Sequence, residues 1–342
     1  YRGTVEGIIS YLNSVAEEVR EIMAELGYNS LDDLVGQTQL LKVVDAPLAK
    51  KFDFQKDVLF YSEGVDRKIH SKNEPYDKNE FEEEVLKEIL STIKSPQFPM
   101  TVYKEIRNTN RSFGARISGV VAKLYGANGL RKETINFQLK GNAGQSLGAF
   151  MANGLLIQLE GSANDYVGKG MSGGHIIITP KERNKKYSLA GNTCLYGATG
   201  GKLFVLGQVG ERFAVRNSGA LAVVEGTGDH PCEYMTGGTV VILGETGRNF
   251  GAGMTGGVAF IYDKNMNFTD KINQELIKAE RIDTDEGDEG RHYLKKILRS
   301  YYYRTQSPTA KHILEHFREE TRYFWMVTSK EMNAPLNPMD GN

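Results

Sequence analysis

Two glycine segments in this chain have the spacing of a nucleotide-binding loop. Residues 168–173 (GKGMSG) and 251–256 (GAGMTG) both match G-x-G-x-x-G, which receives a pyrophosphate when a strand precedes it and a helix follows it. Here the residues that come next, His175-Ile-Ile-Ile and Val258-Ala-Phe-Ile, are typical of strands. We therefore predict that these glycines form backbone corners and bind no cofactor.

A histidine pair near the end of the chain matches a zinc motif. Residues 312–316 (HILEH) have the H-x-x-E-H pattern, in which two histidines bind zinc and the glutamate serves as a base. Such a site needs a third protein ligand well downstream, and 342 − 316 = 26 residues follow His316. We predict a solvated helix face that binds no metal.

Two cysteines, Cys194 and Cys232, are present. They are too few for a disulfide framework, which indicates a reducing compartment, here the cytoplasm, and too few to hold an iron–sulfur cluster. His230 lies two residues from Cys232, but a turn containing Pro231 does not orient a thiol and an imidazole as nucleophile and base. The sequence therefore predicts no catalytic, cofactor-binding or metal-binding residue.

The charge pattern excludes several partners. Lys and Arg number 42 against 43 Asp and Glu, and no basic stripe predicts contact with nucleic acid or an anionic membrane. No apolar run reaches the roughly 18 residues that a membrane helix needs. Because the chain begins with Tyr1 and not Met, we expect it to be a part of a longer chain or a processed product.

Glycine is concentrated in one region, since 26 of the 38 glycines lie between positions 141 and 257. There a small doublet followed by an apolar run recurs six times, with the second residue at positions 154, 174, 201, 220, 238 and 257. The steps are 20, 27, 19, 18 and 19 residues, and the long step contains the charged segment 181–188. A unit of about 19 residues is too short for a strand plus a full helix and suits short stacked strands.

This repeat predicts a mainly β chain: a right-handed parallel β-helix from about residue 134 to 262, with flanking α-helices at both ends. Upstream, the apolar spacing predicts helices over 4–26 and 82–93, an irregular linker between 45 and 78, and alternating strands within 100–140. Downstream, we expect helices around 294–297 and 313–317. The strands within 100–140 and the helices after 265 are placed to cover the open ends of the stack.

Longer segments resemble a known family. The match lies in residues 141–150 (GNAGQSLGAF), 164–174 (NDYVGKGMSGG), 191–201 (GNTCLYGATGG), 210–219 (GERFAVRNSG), 228–238 (GDHPCEYMTGG) and 247–257 (GRNFGAGMTGG). They closely resemble the C-terminal domain of the glutamate synthase large subunit. Residues 1–4, 17–22 and 31–36 are similar to the last helices of its FMN-binding barrel, and residues 106–109 and 116–119 to the lead into its β-helix.

The resemblance implies four regions: a helical tail of the FMN-binding barrel at 1–45, a linker and helix at 46–99, the β-helix domain at 100–263 and a C-terminal helical cap at 264–342. It implies a parent enzyme that makes two glutamates from glutamine, 2-oxoglutarate and a reductant, using FMN and a 3Fe–4S cluster. The implied partners are the upstream FMN and amidotransferase domains of the same chain, with a small NADPH-oxidising subunit or ferredoxin as electron donor. No position here matches a catalytic residue of the family, so the implied role is a scaffold that is inactive alone.

Two other functions remain compatible with the glycine repeat. One is a stand-alone β-helix subunit of a multi-subunit redox complex, because a similar repeat occurs in one of the subunits of formylmethanofuran dehydrogenase. The other is an interaction module without enzymatic activity. The helices expected at both ends follow the glutamate synthase layout and favour the scaffold.

Overall fold

The computed structural model describes residues 4–42, 80–182, 188–272, 277–284 and 287–330. The chain divides into two compact units, residues 1–76 and 77–342. The predicted linker at 45–78, most of the charged segment 181–188 and the last residues of the predicted cap, 331–342, lie outside the described residues.

The first unit contains the amphipathic helix predicted over residues 4–26. Helix α1 covers Val5–Glu25, and the Thr4 hydroxyl caps its start by accepting a hydrogen bond from the Gly7 N–H at 3.0 Å. A short helix α2, Leu31–Leu34, begins at Ser30. Met23 is buried, and large apolar side chains elsewhere on α1 are exposed, among them Val5, Ile8, Ile9, Leu12 and Ile22.

The second unit begins with helix α3 (Glu80–Lys94), strand β1 (Met100–Ile106) and helix α4 (Ala115–Tyr125). The helix predicted over 82–93 and the early strand are confirmed. Helix α4 was not predicted from the sequence. It begins at Gly114 without a side-chain cap from its own segment, and the Glu82 carboxylate accepts the Gly114 N–H instead. A cap 32 residues away leaves no local signal in the sequence.

The glycine repeat forms parallel strands, as predicted. In the described residues β1 is followed in parallel order by β2 (Ile135–Ala143), which has no doublet before it. Six strands that begin at or beside the six doublets come next: β3 (Leu155–Ala163), β4 (Ser172–Thr179), β6 (Gly200–Val205), β8 (Ser218–Val224), β9 (Thr236–Ile242) and β10 (Gly256–Tyr262). The short strands β5 (Ser188–Ala190) and β7 (Gln208–Val209) pair with each other, and β5 also pairs with β3.

The chain closes with strand β11 (Ile277–Arg281), helices α5 (Asp288–Thr305), α6 (Pro308–Glu315) and α7 (Phe317–Glu320), and strand β12 (Phe324–Ser329). The helices expected around 294–297 and 313–317 are therefore confirmed. Strand β12 runs antiparallel to both β10 and β11. It covers the edge of β10 that the parallel series would otherwise leave open.

The two faces of the sheet belong to two hydrophobic cores. One face carries Phe137, Ile157 and Ile176 and forms a core with side chains of α3 and α4, such as Ile89 and Ile117. The opposite face carries Ile177, Phe204 and Val241 and packs against α5 and α6. Alternating side chains of one strand thus enter different cores.

The fold is α/β, with a mostly parallel twelve-stranded sheet and seven helices among the described residues. The sequence predicted a mainly β chain, and this class is wrong because helices cover both faces. Helix α4 also lies within the region 100–263, which was expected to form the β-helix domain.

Candidate functional site

The two nucleotide-like glycine segments lead into strands. Gly168 and Gly170 have φ of +65° and +62° and are followed by β4, and Gly251 and Gly253 have φ of +66° and +68° and are followed by β10. A dinucleotide loop places its pyrophosphate at the N-terminus of a following helix. Neither segment leads into a described helix, and the left-handed backbone is that of a corner.

Left-handed backbone recurs at three alternating residues in each repeat. Eighteen described residues take part, and their φ values lie between +53° and +68°. We name them the left-handed strip: Ser146, Gly148, Phe150, Tyr166, Gly168, Gly170, Thr193, Leu195, Gly197, Arg212, Ala214, Arg216, His230, Cys232, Tyr234, Asn249, Gly251 and Gly253. The strip was not predicted from the sequence because most of its members are not glycine.

Backbone hydrogen bonds join the strip between repeats. The first residue of a triplet donates to the following repeat, as in the Tyr166 N–H to the Asn192 carbonyl at 2.8 Å, and the third residue does the same. The middle residue donates to the preceding repeat, as in the Gly168 N–H to the Leu147 carbonyl at 2.8 Å. A left-handed backbone costs an L-residue roughly 1–2 kcal/mol, and these hydrogen bonds hold the residues in that conformation.

The doublet Gly237-Gly238 shows why both of its residues are small. A Cβ on Gly237 would lie 2.2 Å from the Ser218 carbonyl oxygen of the preceding repeat. Gly238 has φ of +79°, and its Cβ would lie 2.5 Å from the Ala220 carbonyl oxygen. The first position therefore requires close approach of two backbones, and the second requires left-handed backbone as well.

One repeat replaces the second glycine by Ala220, which has no positive φ. The fully buried Asn217 supports this turn. Its side chain accepts hydrogen bonds from the N–H groups of Gly219 and Ala220 at 3.2 and 2.8 Å and donates to the Ala220 carbonyl at 3.0 Å. Aligning the repeats at their doublets places Asn217 where Met171 and Met235 stand, and that difference could have identified it from the sequence.

In the zinc-like motif, for which we predicted a solvated helix face, the two histidine rings lie side by side. His312 is on α6 and His316 follows its last residue, with ring centroids 4.8 Å apart. His312 Nε2 lies 3.3 Å from Glu320 Oε1, and the motif's Glu315 lies 3.8 Å from Lys311 Nζ. Across the described ranges, no group of three or more His, Cys, Asp or Glu side chains is placed to hold a metal ion.

Cys194 and Cys232 are fully buried. Burial raises the pKa of Cys194 to about 12 and also raises the pKa of Cys232. Because the thiolate is the reactive form, both thiols are poor nucleophiles. His230 Nδ1 lies 2.8 Å from Glu233 Oε1, so this imidazole pairs with a carboxylate.

Glu82 is a buried carboxylate that no motif in the sequence points to. Its Oε1 accepts hydrogen bonds from the N–H groups of Gly114 and Ile117 at 2.9 and 3.1 Å, at the start of α4. Burial outweighs these bonds and raises the pKa of Glu82 to about 7. Both contacts are to backbone groups, so the side chain serves as a remote helix cap.

The residues considered in the sequence analysis do not converge on one site. The two glycine segments and Cys232 lie in the left-handed strip, whereas His312 and His316 lie at the helices that cover the opposite core. No helix in the described part of the chain is long and apolar enough to cross a bilayer. What the described residues form is a stack of repeats bonded through their backbones.

The chain is similar to known proteins along most of its length. The family model described as the GXGXG motif matches residues 80–330. A ferredoxin-dependent glutamate synthase of Antithamnion sp. is 44% identical over 338 residues, and one of Pyropia yezoensis is 45% identical over 336, each covering 96% of this chain. A glutamate synthase [NADH] of Schizosaccharomyces pombe is 40% identical over 354 residues, covering 98%. The chain spans 22%, 21% and 16% of the lengths of these relatives, respectively.

Proposed function

The chain belongs to the GXGXG motif family, and we propose that it is the C-terminal scaffold portion of a glutamate synthase. One observation carries this proposal: nearly the whole chain is similar to about a fifth of the length of ferredoxin-dependent glutamate synthases. The described residues themselves hold backbone-bonded repeats and no convergent catalytic group. A supporting domain fits both facts.

We infer that the repeats are successive turns of a right-handed parallel β-helix. The strands pair in parallel from β1 to β10, and the left-handed strip links the same repeats a second time. Repeats that are bonded to their neighbours at two separate places along the chain have the connectivity of a coil. The helices and β12 would then cover its ends and one face.

In the parent protein we propose the conversion of glutamine, 2-oxoglutarate and a reductant to two glutamates. The relatives are named for ferredoxin or NADH as their reductant. The partners of this chain would be the FMN and amidotransferase domains of the same polypeptide, with ferredoxin or a small NADPH-oxidising subunit delivering electrons in the cytoplasm. Its own contribution would be to hold those domains in position.

Neither FMN nor a 3Fe–4S cluster fits the described residues. A cluster normally takes three or four thiolates, and this chain has two cysteines, both buried and protonated. The glycine segments that resemble a phosphate loop lead into strands instead of helices. We therefore assign both groups to other domains of the parent protein.

The stand-alone subunit and the interaction module are less favoured. The relatives are much longer than this chain, and their names are those of glutamate synthases. The coding DNA upstream of Tyr1 tests the choice directly. We expect an open reading frame that encodes a flavin barrel and a cysteine cluster, whereas a start codon immediately before the Tyr1 codon would favour the stand-alone subunit.

A further inference from the structure

Two buried polar atoms without partners in the described residues lie in one row across the sheet. Asn136 on β2, Leu156 on β3, His175 on β4 and Lys202 on β6 are register partners, so their side chains share one face. Asn136 Oδ1 and His175 Nε2 are buried and take part in no hydrogen bond. Leaving such an atom unpaired is unfavourable, which indicates that this row lacks a partner.

Cations surround this row. Lys202 is half-buried directly beside His175, and Arg304 at the end of α5 forms an ion pair with Glu133, two residues before β2. The pKa of His175 is lowered to about 3, mainly because the imidazole is buried and to a smaller extent by the positive charges of Arg304, Lys202 and Lys132. His175 is therefore a neutral imidazole in a positive field.

Lys296 belongs to the same group of charges. The pKa of Lys202 is lowered mainly by burial and then by the positive charges of Lys132, Arg304 and Lys296. The negative charge of Glu133 raises it. We name the four cations the cation patch: Lys132, Lys202, Lys296 and Arg304. Within the described ranges, none of its three lysines has a carboxylate at ion-pair distance. Among the charges that act on Lys202, three cations thus outweigh the one carboxylate, Glu133.

The patch is accessible from the surface. The side chains of Arg304 and Glu133 are 24% and 27% exposed, so their ion pair can exchange by side-chain rotation. Arg304 also lines a groove of about 390 Å³ on the same face of the sheet, whose lining includes both cations and carboxylates, among them Lys140 and Glu160. A small ligand in this groove can reach Arg304.

We propose that the cation patch binds a small, multiply charged oxyanion of the phosphate class beside His175. Arg304 turns from Glu133 to the ligand, Lys202 contacts it from the sheet, and the neutral imidazole donates its Nε2–H. Phosphate oxygens accept several charge-assisted hydrogen bonds at once. The imidazole lies below the surface, because His175 is 8% exposed, and this depth favours a small anion over an acidic protein surface.

The test is a titration of the 342-residue chain with inorganic phosphate at pH 7, against sodium chloride of equal ionic strength. We expect phosphate to raise the melting temperature more than chloride does. In the unsubstituted protein labelled with ¹⁵N-histidine, we expect phosphate to shift the Nε2 signal of His175. This shift should give the same dissociation constant for phosphate as the rise in melting temperature. Lys202→Gln and Arg304→Gln should each weaken phosphate binding about tenfold, as expected for a lost charge-assisted contact.

Lys311→Gln is the matched control, because Lys311 is an exposed cation on α6 outside the patch. It should bind phosphate like the unsubstituted chain. Equal weakening in the control and the patch variants would overturn the proposal, and so would an unchanged His175 signal at saturating phosphate. Binding of a poly-glutamate peptide without binding of phosphate would instead identify an acidic protein segment as the occupant. This site does not depend on the proposed scaffold role.

Discussion

Gly238 and Gly197 separate two effects of a glycine in this fold. Their φ values are similar, +79° and +63°, but a Cβ on Gly238 would meet the Ala220 backbone at 2.5 Å, and a Cβ on Gly197 would meet nothing within 4 Å. We expect Gly197→Ala to cost roughly 1–2 kcal/mol from the left-handed backbone alone. Gly238→Ala should cost about 3 kcal/mol or more because the neighbouring backbones must also move apart. Urea unfolding of both variants measures the difference, and equal costs would contradict the close packing of repeats.

Glu82 gives a pH dependence that can be measured. Its pKa rises from 4.5 to about 7 on folding, so the folded state binds more protons between these values and stability falls as the pH rises through that window. A rise of 7 − 4.5 = 2.5 in pKa corresponds to roughly 3 kcal/mol. Glu82→Gln still accepts the α4 N–H groups but cannot ionise. Chemical unfolding at pH 4.5 and 8 measures the free energy of unfolding of both proteins. We expect the unsubstituted chain to lose stability relative to Glu82→Gln at the higher pH. A stability difference between the two proteins that is the same at both pH values would rule out a raised pKa.

At the scale of elements, Tyr301 fixes α5 on the sheet. Its ring packs edge-on against Phe204 with centroids 5.5 Å apart, and its hydroxyl lies 2.9 Å from the Val205 carbonyl and 3.2 Å from a Glu225 carboxylate oxygen. Tyr301→Phe removes the donor to the Val205 carbonyl, whereas the Ser307 hydroxyl still donates to the same Glu225 oxygen. The loss at the buried carbonyl should cost about 1–3 kcal/mol.

Tyr303 provides the control for this prediction, because it lies on the same helix and is 76% exposed. We expect Tyr303→Phe to leave the urea midpoint nearly unchanged. If Tyr301→Phe behaved like Tyr303→Phe, the hydroxyl would not anchor α5, and the helix would be held by apolar packing alone.

The sequence predicted elements well where a local pattern determines them. The six doublets placed the starts of strands β3, β4, β6, β8, β9 and β10, and apolar spacing placed α1, α3 and α5. Helix α4 escaped prediction because its cap, Glu82, is distant in sequence. The left-handed strip escaped because residues such as Thr193 and Cys232 take left-handed backbone only under the hydrogen bonds of neighbouring repeats.

The sequence also predicted only part of what the structure shows about candidate functional residues. The sequence was sufficient to expect that the glycine segments are corners, because strand-like residues follow them. It could not reveal the row of Asn136, His175 and Lys202, since register partners on β2, β4 and β6 are brought together only by stacking. Residues that are far apart in the sequence do not form a motif, so their proximity is visible only in the structure.

For the whole molecule, a scaffold role predicts a colourless protein. The described residues offer no ligand set for a metal cluster, and the glycine segments lack the helix that a flavin phosphate would use. The purified 342-residue chain should therefore show no flavin or iron absorption after dialysis. A flavin spectrum that survives dialysis would mean that this chain holds a cofactor site of its own.

The most direct test of the scaffold role is an assay of glutamine-dependent glutamate synthase activity in the longer parent protein that we propose. Its variant should carry His312→Gln and His316→Gln together, because these exposed residues form the nearest match to a catalytic motif. A scaffold predicts a kcat within about twofold of the unsubstituted enzyme at equal folded protein. A loss of about a hundredfold or more at an unchanged melting temperature, the size expected for a missing acid or base, would contradict it.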